Sequence, residues 1–486
     1  MANSRLEEIR AIRISKLEKL RELGINPYPS KYSKTSIPIF QILKKLDENV
    51  SAVGRLMRLR EHGNIFFADL RDQSGQIQLL FQKSNLEKEF SLVKLLDAGD
   101  FIGVAGKVIK TQAGEITIDV ASLELLSKSI RPLPDDWTGL KDEETRYRQR
   151  YVDLLINPDS RKVFDIRSKL IKSLRKFLDD KGFQEVETPI LQPIYGGASA
   201  QPFTTHHNAL DNDFFLRISD ELYLKRLVVG GMDKVYEIGH DFRNESVDRE
   251  HNPEFTQLEF YWGYADYEMG MDLTQELITN VLQDTLGTTE INCQGHKLDF
   301  SKIGRISFRD MIKKYVDFDI DEIDNEEKLL KLIKQKKLDV DLKGVVGYGN
   351  LIDKVYKRYA RLNLIDPVFL TDYPVEIIAL AKRHPTDPKK ISSFQLLAVG
   401  FELIKAYSEL NDPIDQKNRW IEEEKLGEKG LTDHMVIDED YIRALEYGMP
   451  PTFGWGMGID RFVSVITDQP SLKDTILFPT LRPENK

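Results

Sequence analysis

Arg243, Phe255, Glu259 and Tyr261 fall within one stretch, VYEIGHDFRNESVDREHNPEFTQLEFYW, at residues 235–262. An arginine can grip a phosphate through two parallel hydrogen bonds. A phenyl ring offers a flat face to a base. A carboxylate withdrawn from water needs a cation beside it. Together these side-chain types suit a nucleotide next to a positively charged group. Residues 235–242 and 254–262 alternate as two strands, joined by a polar turn-back at 244–253. Side chains switch faces at every strand residue, so Phe255, Gln257, Glu259 and Tyr261 share one face and Leu258, Phe260 and Trp262 the other. The second set reads as core. The first reads as a binding wall or, on composition alone, as the solvated face of a hairpin.

Other stretches carry chemistry-bearing residues at suggestive spacing. GGASAQPF at 196–203 has adjacent glycines that admit a ligand close to the backbone, but no Gly-Lys-Ser/Thr follows to make a phosphate loop. In FQLLAVGFELIKAYSELNDP at 394–413, strand parity puts Lys405, Tyr407 and Glu409 on one face and Glu402 on the opposite one. GWGMGIDR at 454–461 has three alternate glycines without the strand, loop, helix and acid of a dinucleotide site. His206 and His207 would point apart on a strand, and Cys293 with His296 is too few ligands for zinc.

The elements that position these residues follow from the remaining pattern. The chain has 486 residues, 41% hydrophobic and 30% charged, which suits several soluble domains. No apolar run reaches membrane-spanning length, and the charged N-terminus lacks a secretory signal. A single cysteine rules out an internal disulfide and suits a reducing, cytoplasmic setting. The net charge of −10 conceals a basic end, because residues 1–60 hold 13 Lys and Arg against 6 Asp and Glu. A helix is expected over 4–23, capped by Ser4 with Glu7 and stopped at Gly24. Its apolar stripe is Leu6, Ile9, Ile12, Leu17, Leu20 and Leu23. Arg10, Arg13, Lys16, Lys19 and Arg21 form a basic remainder that either faces water or meets RNA phosphates. Five short β runs in 50–128 predict a small closed barrel of the oligonucleotide-binding (OB) type. Prolines at 132 and 134 mark a linker. Helices are expected over 163–181 and from 264, and a charged helical insertion at about 305–365.

The strings FRNE at 242–245, HNPEFT at 251–256 and LEFY together resemble motif 2 of the class II aminoacyl-tRNA synthetases, in particular the bacterial lysyl branch. GFQEVETPIL at 182–191 resembles motif 1 and GWGMGIDR motif 3. The resemblance implies an α+β chain: a lead-in over 1–48, a five-stranded anticodon-binding barrel over 49–130, a linker over 131–150, and a catalytic domain over 151–486 with an antiparallel sheet flanked by helices. It implies ATP-dependent ligation of L-lysine to tRNA(Lys) through an adenylate, with Mg2+, in a homodimer built on motif 1. By the same resemblance Arg243 would hold the α-phosphate and Phe255 would stack on adenine. Glu245 would face adenine or the metal shell, while His251 and Arg461 would manage the outer phosphates. Gly197 and Glu221 would meet the lysine amino group, and Glu259, Glu409 and Tyr261 the ε-ammonium, with Tyr407 in the same wall. Glu402 would ligate Mg2+. Gln395 stands where a second metal-binding Glu is usual, Lys405 where an Asn meeting the substrate carboxylate is usual, and Ile378-Ala379 where Ser-Pro is usual. The metal role of Glu402 and the wall position of Lys405 agree only if the strand bulges between them. In the barrel, Phe67 would stack on a base, and Gln78, Glu115 and Arg55 would contact base edges. Two rivals remain: an aspartyl or asparaginyl enzyme, and a relative that only binds nucleotide or RNA or that modifies a protein.

Overall fold

The computed structural model describes residues 2–87, 89–134, 140, 142–323, 325–431 and 435–484. The chain forms two compact units, residues 1–140 and 141–486.

In the first unit, helix α1 (Ala2–Glu22) begins ahead of the expected Ser4 cap and ends before Gly24, whose φ of 75° is left-handed. Leu17 and Leu20 are buried, but Ile12 and Leu23 are 59% and 57% exposed, so the stripe is narrower than expected. Arg13 is buried and donates to the carbonyls of Ala98, Ser129 and Arg131 at 3.0–3.2 Å. Lys16 pairs with Asp97 at 2.7 Å. Two of the five basic residues therefore fix the helix within its own unit. Strands β1 (Asn49–His62), β2 (Ile65–Arg71), β3 (Gln76–Gln82), β4 (Phe101–Lys110) and β5 (Ile116–Ser127) close a barrel in the order β1-β2-β3-β5-β4. Alternation fills its interior with Leu56, Phe66, Ala68, Leu70, Leu79, Val104 and Val120. Phe66 points in, so Phe67 points out.

The second unit carries β6 (Gln184–Glu185), β7 (Leu191–Gln192), β8 (Thr204–His207), β9 (Asn212–Leu216), β10 (Lys234–Phe242), β11 (Glu254–Gly263), β12 (Glu290–Cys293), β13 (His296–Asp299), β14 (Gly304–Ser307), β15 (Val368–Thr371), β16 (Ser393–Ala398), β17 (Phe401–Ser408) and β18 (Thr452–Gly458). Eight of them form one sheet in the order β14-β15-β16-β17-β18-β11-β10-β6. The centre is antiparallel as expected, but β14 with β15 and β6 with β10 are parallel pairs. Parallel neighbours need a long crossover, and the chain supplies one at each edge. Helices α2 (Pro158–Asp180), α3 (Glu221–Val229), α4 (Tyr267–Leu286) and α5 (Ile459–Ile466) pack around this sheet. Asn157 caps α2 and Pro158 occupies its first turn, which moves its start ahead of the expected 163. Leu170, Leu174, Phe177, Leu277 and Val281 of α2 and α4 bury Leu258, Phe260 and Trp455 of the sheet.

Three further boundaries differ from expectation. The expected linker ends early, because helices Glu143–Arg148 and Arg150–Ile156 are already folded. Arg150 is fully buried and donates to the carbonyls of Lys473 and Leu477. After α4, Gly287 at φ 77° stops the helix, and the hairpin β12–β13 follows. The insertion is helical, with Phe308–Val316, Glu326–Lys336 and Tyr348–Val355. Trp420 and Tyr441, from the later helices Pro413–Glu428 and Glu439–Glu446, belong to the same apolar cluster, which therefore extends past the expected 365. Cys293 is buried, and burial pushes its thiol up to about 11, which suits a structural residue.

Candidate active site

Three central strands build one wall. Their register aligns Glu259 with Gly456 and Lys405, and Tyr261 with Gly454 and Tyr407. Strand β16 pairs Gln395 with Lys405 and Leu396 with Ile404, then skips to pair Leu397 with Glu402. Leu403 is the extra residue of a β-bulge. The bulge returns Glu402 to the face of Lys405 and Tyr407, which resolves the parity conflict in the sequence. The carbonyl of Glu402 accepts from Arg461 Nη1 at 3.1 Å, so the first turn of α5 is tied to the same place.

Every residue expected at the nucleotide, amino-acid and metal positions lines a single cavity of about 870 Å³. At one end Arg243 donates from Nε to the carbonyl of Ile218 at 3.2 Å and lies over the Phe255 ring, 5.0 Å from its centroid. Glu245 and His251 are exposed at the rim, and His251 Nδ1 meets Asp248 at 3.0 Å. Behind the wall, Asp460 accepts from the backbone of Thr256 at 2.9 Å and pairs with Arg167 of α2. That contact fixes the residue next to Arg461.

The other end is acidic and dry. Glu259 and Glu409 are 4% and 1% exposed. Glu259 accepts from Ser219 Oγ at 3.1 Å, Gln257 Nε2 at 2.5 Å and Tyr261 OH at 3.2 Å. Burial, and then the charges of Asp241 and Glu221, push its carboxyl up to about 8. Tyr407 OH donates to both oxygens of Glu221 at 2.8 Å. Lys225, one turn along α3 from Glu221, meets that carboxylate at 2.5 Å and forms an ion pair with Glu409. Gly197 holds φ at 85°, and a side chain there would press on Ser219 and Glu221. A side chain at Gly454 would run into Glu409 Oε1 and come within 2.7 Å of Tyr261 Cε1. One at Gly456 would lie 3.3 Å from Gln257 Nε2. The side chains that Gly454 and Gly456 clear are those of the acidic end.

Gln395 Oε1 accepts from Tyr373 OH at 2.7 Å and Tyr356 OH at 3.4 Å, so the oxygen expected to reach a metal is already engaged. Among the described residues no group of three or more His, Cys, Asp or Glu could hold a metal by itself. Glu402, facing the cavity, fits a magnesium ion that takes its other ligands from water and phosphate. In the barrel, Gln78 Nε2 donates to Glu115 Oε2 at 2.9 Å beside a cavity of about 290 Å³. Phe67 is half-buried on the outer face. The Arg55 guanidinium lies 4.1 Å from the Phe101 centroid and donates to the Gly99 carbonyl.

Sequence reasoning missed the groups that hold the acidic end: Ser219, Lys225, and the set around Arg217. Arg217 is 1% exposed and contacts Glu237 at 2.5 Å, Asp220 at 2.8 Å and Asp241 at 3.2 Å. Burial pushes Asp241 up to about 6 although Arg243 and Arg217 draw it down, and it pushes Asp220 up as well. The cluster RISDELYLK at 217–225 does mix charge and apolar residues at helical spacing, but only topology shows which charges meet.

Residues 142–482 match the family of tRNA synthetases class II (D, K and N), and residues 50–126 match the OB-fold nucleic acid binding domain. With this sheet, this cavity and that barrel, the chain belongs to the class II tRNA synthetases. Within that family it is similar to proteins named lysine–tRNA ligase. The one from Carboxydothermus hydrogenoformans is 47% identical over the whole of both chains. Those from Thermoanaerobacter pseudethanolicus and Syntrophomonas wolfei are 48% and 46% identical, each over 99% of this chain and 97% and 98% of their own.

Proposed function

We infer that the protein joins L-lysine to tRNA(Lys), using ATP and passing through lysyl-adenylate. The observation that carries this reading is the pair of buried carboxylates, Glu259 and Glu409, lining the same cavity as Arg243 and Phe255. An ammonium is the group that two dry carboxylates accept, and an aspartate or asparagine side chain would meet only repulsion or an unpaired charge. In the first step the lysine carboxylate forms a bond to the α-phosphorus and pyrophosphate leaves. That carboxylate is already ionised, so no general base is needed, and catalysis rests on positioning and charge neutralisation. Arg243 holds the α-phosphate, Phe255 receives adenine with Glu245 at its edge, and His251 and Arg461 face the outer phosphates. Lys405, which makes no ion pair among the described residues, is left for the substrate carboxylate. Magnesium held at Glu402 would supply charge neutralisation at the phosphates. In the second step the terminal ribose hydroxyl of tRNA takes the lysyl group and AMP leaves.

The outer barrel face with Phe67, Gln78 and Glu115 is the anticodon-reading surface in this account. The flank of β7 and the β8–β9 turn exposes Leu191 at 49% and Leu210 at 63%, an apolar surface suited to a second copy of the chain. Among the described residues no helix is long and apolar enough to cross a membrane, and the substrates are those of translation in the cytoplasm.

The test is amino-acid-dependent ATP–pyrophosphate exchange across all twenty amino acids, followed by charging of total tRNA. Lysine alone should drive exchange and become acid-precipitable on tRNA. Exchange driven by aspartate or asparagine, or by none, would overturn the reading. Gly454→Ala should raise the lysine KM at least about tenfold, the order expected for an overpacked wall, while the ATP KM stays within twofold. Equal rises in both constants would show that Gly454 does not serve the acidic end.

A further inference from the structure

Building on the lysine reading above, we propose that Lys225 is a specificity-determining positioning residue. Its buried ammonium ties Glu221 to Glu409 and sets the pocket's uncompensated charge to match a ligand with two ammonium groups.

Lys225 is fully buried, with Glu221 Oε1 at 2.5 Å and Glu409 on its other side. Tyr407 and Tyr441 enclose it, their ring centroids 5.8 and 5.9 Å from Nζ. Burial works against its charge, but the two carboxylates outweigh burial and hold its pKa up. The ammonium is therefore a fixed part of the wall. Three carboxylates border the acidic end: Glu221 and Glu259 from α3 and β11, and Glu409 just past β17. With Lys225 in place, two negative charges meet the substrate once Glu259 gives up its proton to the entering ammonium. Lysine brings two ammonium groups, one at the α-carbon and one at the tip of the side chain. A neutral amino acid such as methionine brings one and leaves a buried carboxylate without a partner. Without Lys225, even lysine would leave one carboxylate unmatched.

The arrangement also says which carboxylate meets which amine. Glu409 is already engaged by Lys225, whereas among the described residues Glu259 is met only by neutral donors, Ser219, Gln257 and Tyr261. Glu259 is thus the principal partner of the incoming side-chain ammonium, and Glu409 contributes with the charge that Lys225 leaves it. The two carboxylates that the family resemblance sets around that ammonium thus contribute unequally.

The experiment uses the full chain and measures lysine and ATP KM by pyrophosphate exchange for Lys225→Met, Glu409→Gln and the double variant. Lys225→Met should raise the lysine KM at least about tenfold and leave the ATP KM within twofold, since the ATP groups lie at the far end of the cavity. Because both substitutions disturb one ion pair, the double variant should be impaired less than the product of the single effects. It also removes one of the two carboxylate charges that Lys225→Met leaves without a cation, the other being Glu221, which Tyr407 still bonds, so it should fold even if Lys225→Met alone does not. In that event, a lysine KM for the double variant no worse than that of Glu409→Gln supports the proposal, and a worse one overturns it. Unchanged lysine KM in Lys225→Met, multiplicative effects in the double variant, or parallel rises in both KM values would each overturn it. A wild-type protein that activates no lysine would instead overturn the reading beneath it.

Discussion

Arg243→Ala should lower the rate of lysine-dependent pyrophosphate exchange by about 10²–10³-fold, the usual loss when one fixed donor to a charged transition state is removed. Two anions, the lysine carboxylate and the α-phosphate, must approach each other, and negative charge shifts as the bond to pyrophosphate breaks. Arg243 stands at the end of β10, anchored by its Nε on the Ile218 carbonyl and braced on the Phe255 ring. It is therefore aimed before substrate arrives, which makes its contribution larger in the transition state than in the ground state. The loss should fall on kcat more than on the ATP KM. Arg243→Lys should recover only part of it, because an ammonium is a point charge without the planar fork. Exchange within tenfold of wild type for the alanine variant would mean that another cation, Lys405 or Arg461, holds the α-phosphate.

Glu259→Gln should raise the lysine KM by roughly 10- to 100-fold, corresponding to the loss of one or more charge-assisted bonds of about 1.5–3 kcal/mol each. The ATP KM should be unaffected. A pH series adds a second signature. With its carboxyl at about 8 instead of its ordinary 4.5, Glu259 is protonated in the ligand-free protein at neutral pH. An ammonium binds the ionised form, so lysine binding releases a proton. Lysine affinity should climb with pH up to about 8 and fall once the ligand's own ammonium groups titrate, the α group first and the ε group near about 10.4. Glu259→Gln should flatten that climb. The sign for stability is opposite. Between 4.5 and about 8 the unfolded chain ionises this carboxyl while the folded chain keeps it protonated, so its contribution to stability falls as pH rises through that window. The variant should therefore melt higher than wild type at pH 8 and about equally at pH 4. A wild-type lysine affinity that ignores pH between 6 and 9 would remove Glu259 from the binding site.

The hairpin of β10 and β11 was legible from alternation alone, because period-two patterning decides which side chains meet the core. Phe255, Glu259 and Tyr261 were placed on the cavity wall and Leu258 and Phe260 in the core by that argument, and the structure agrees. The bulge at Leu403 was legible only as a contradiction: parity and the family pattern could not both hold unless a residue was extra. Lys225 and Arg217 were not legible. Their partners lie on other elements, and nothing in the spacing of RISDELYLK says that Lys225 reaches Glu409 or that Arg217 reaches Glu237 and Asp241. The parallel edges of the sheet were hidden for the same reason, since strand direction depends on where long crossovers return. Gln395 lines the cavity, but its engagement by Tyr356 and Tyr373 depends on two hydroxyls from distant segments.

The single supernumerary residue at Leu403 separates two tasks along one strand. Past it, Lys405, Tyr407 and Glu409 keep their phase with β18, and before it Glu402 keeps a different phase. Deleting Leu403 would leave Glu402 two positions before Lys405, so plain alternation would hold both on the cavity wall and the ladder would straighten. The strand thus tolerates an odd residue between its two tasks only because the kink absorbs it, and a shorter strand would perform both without one.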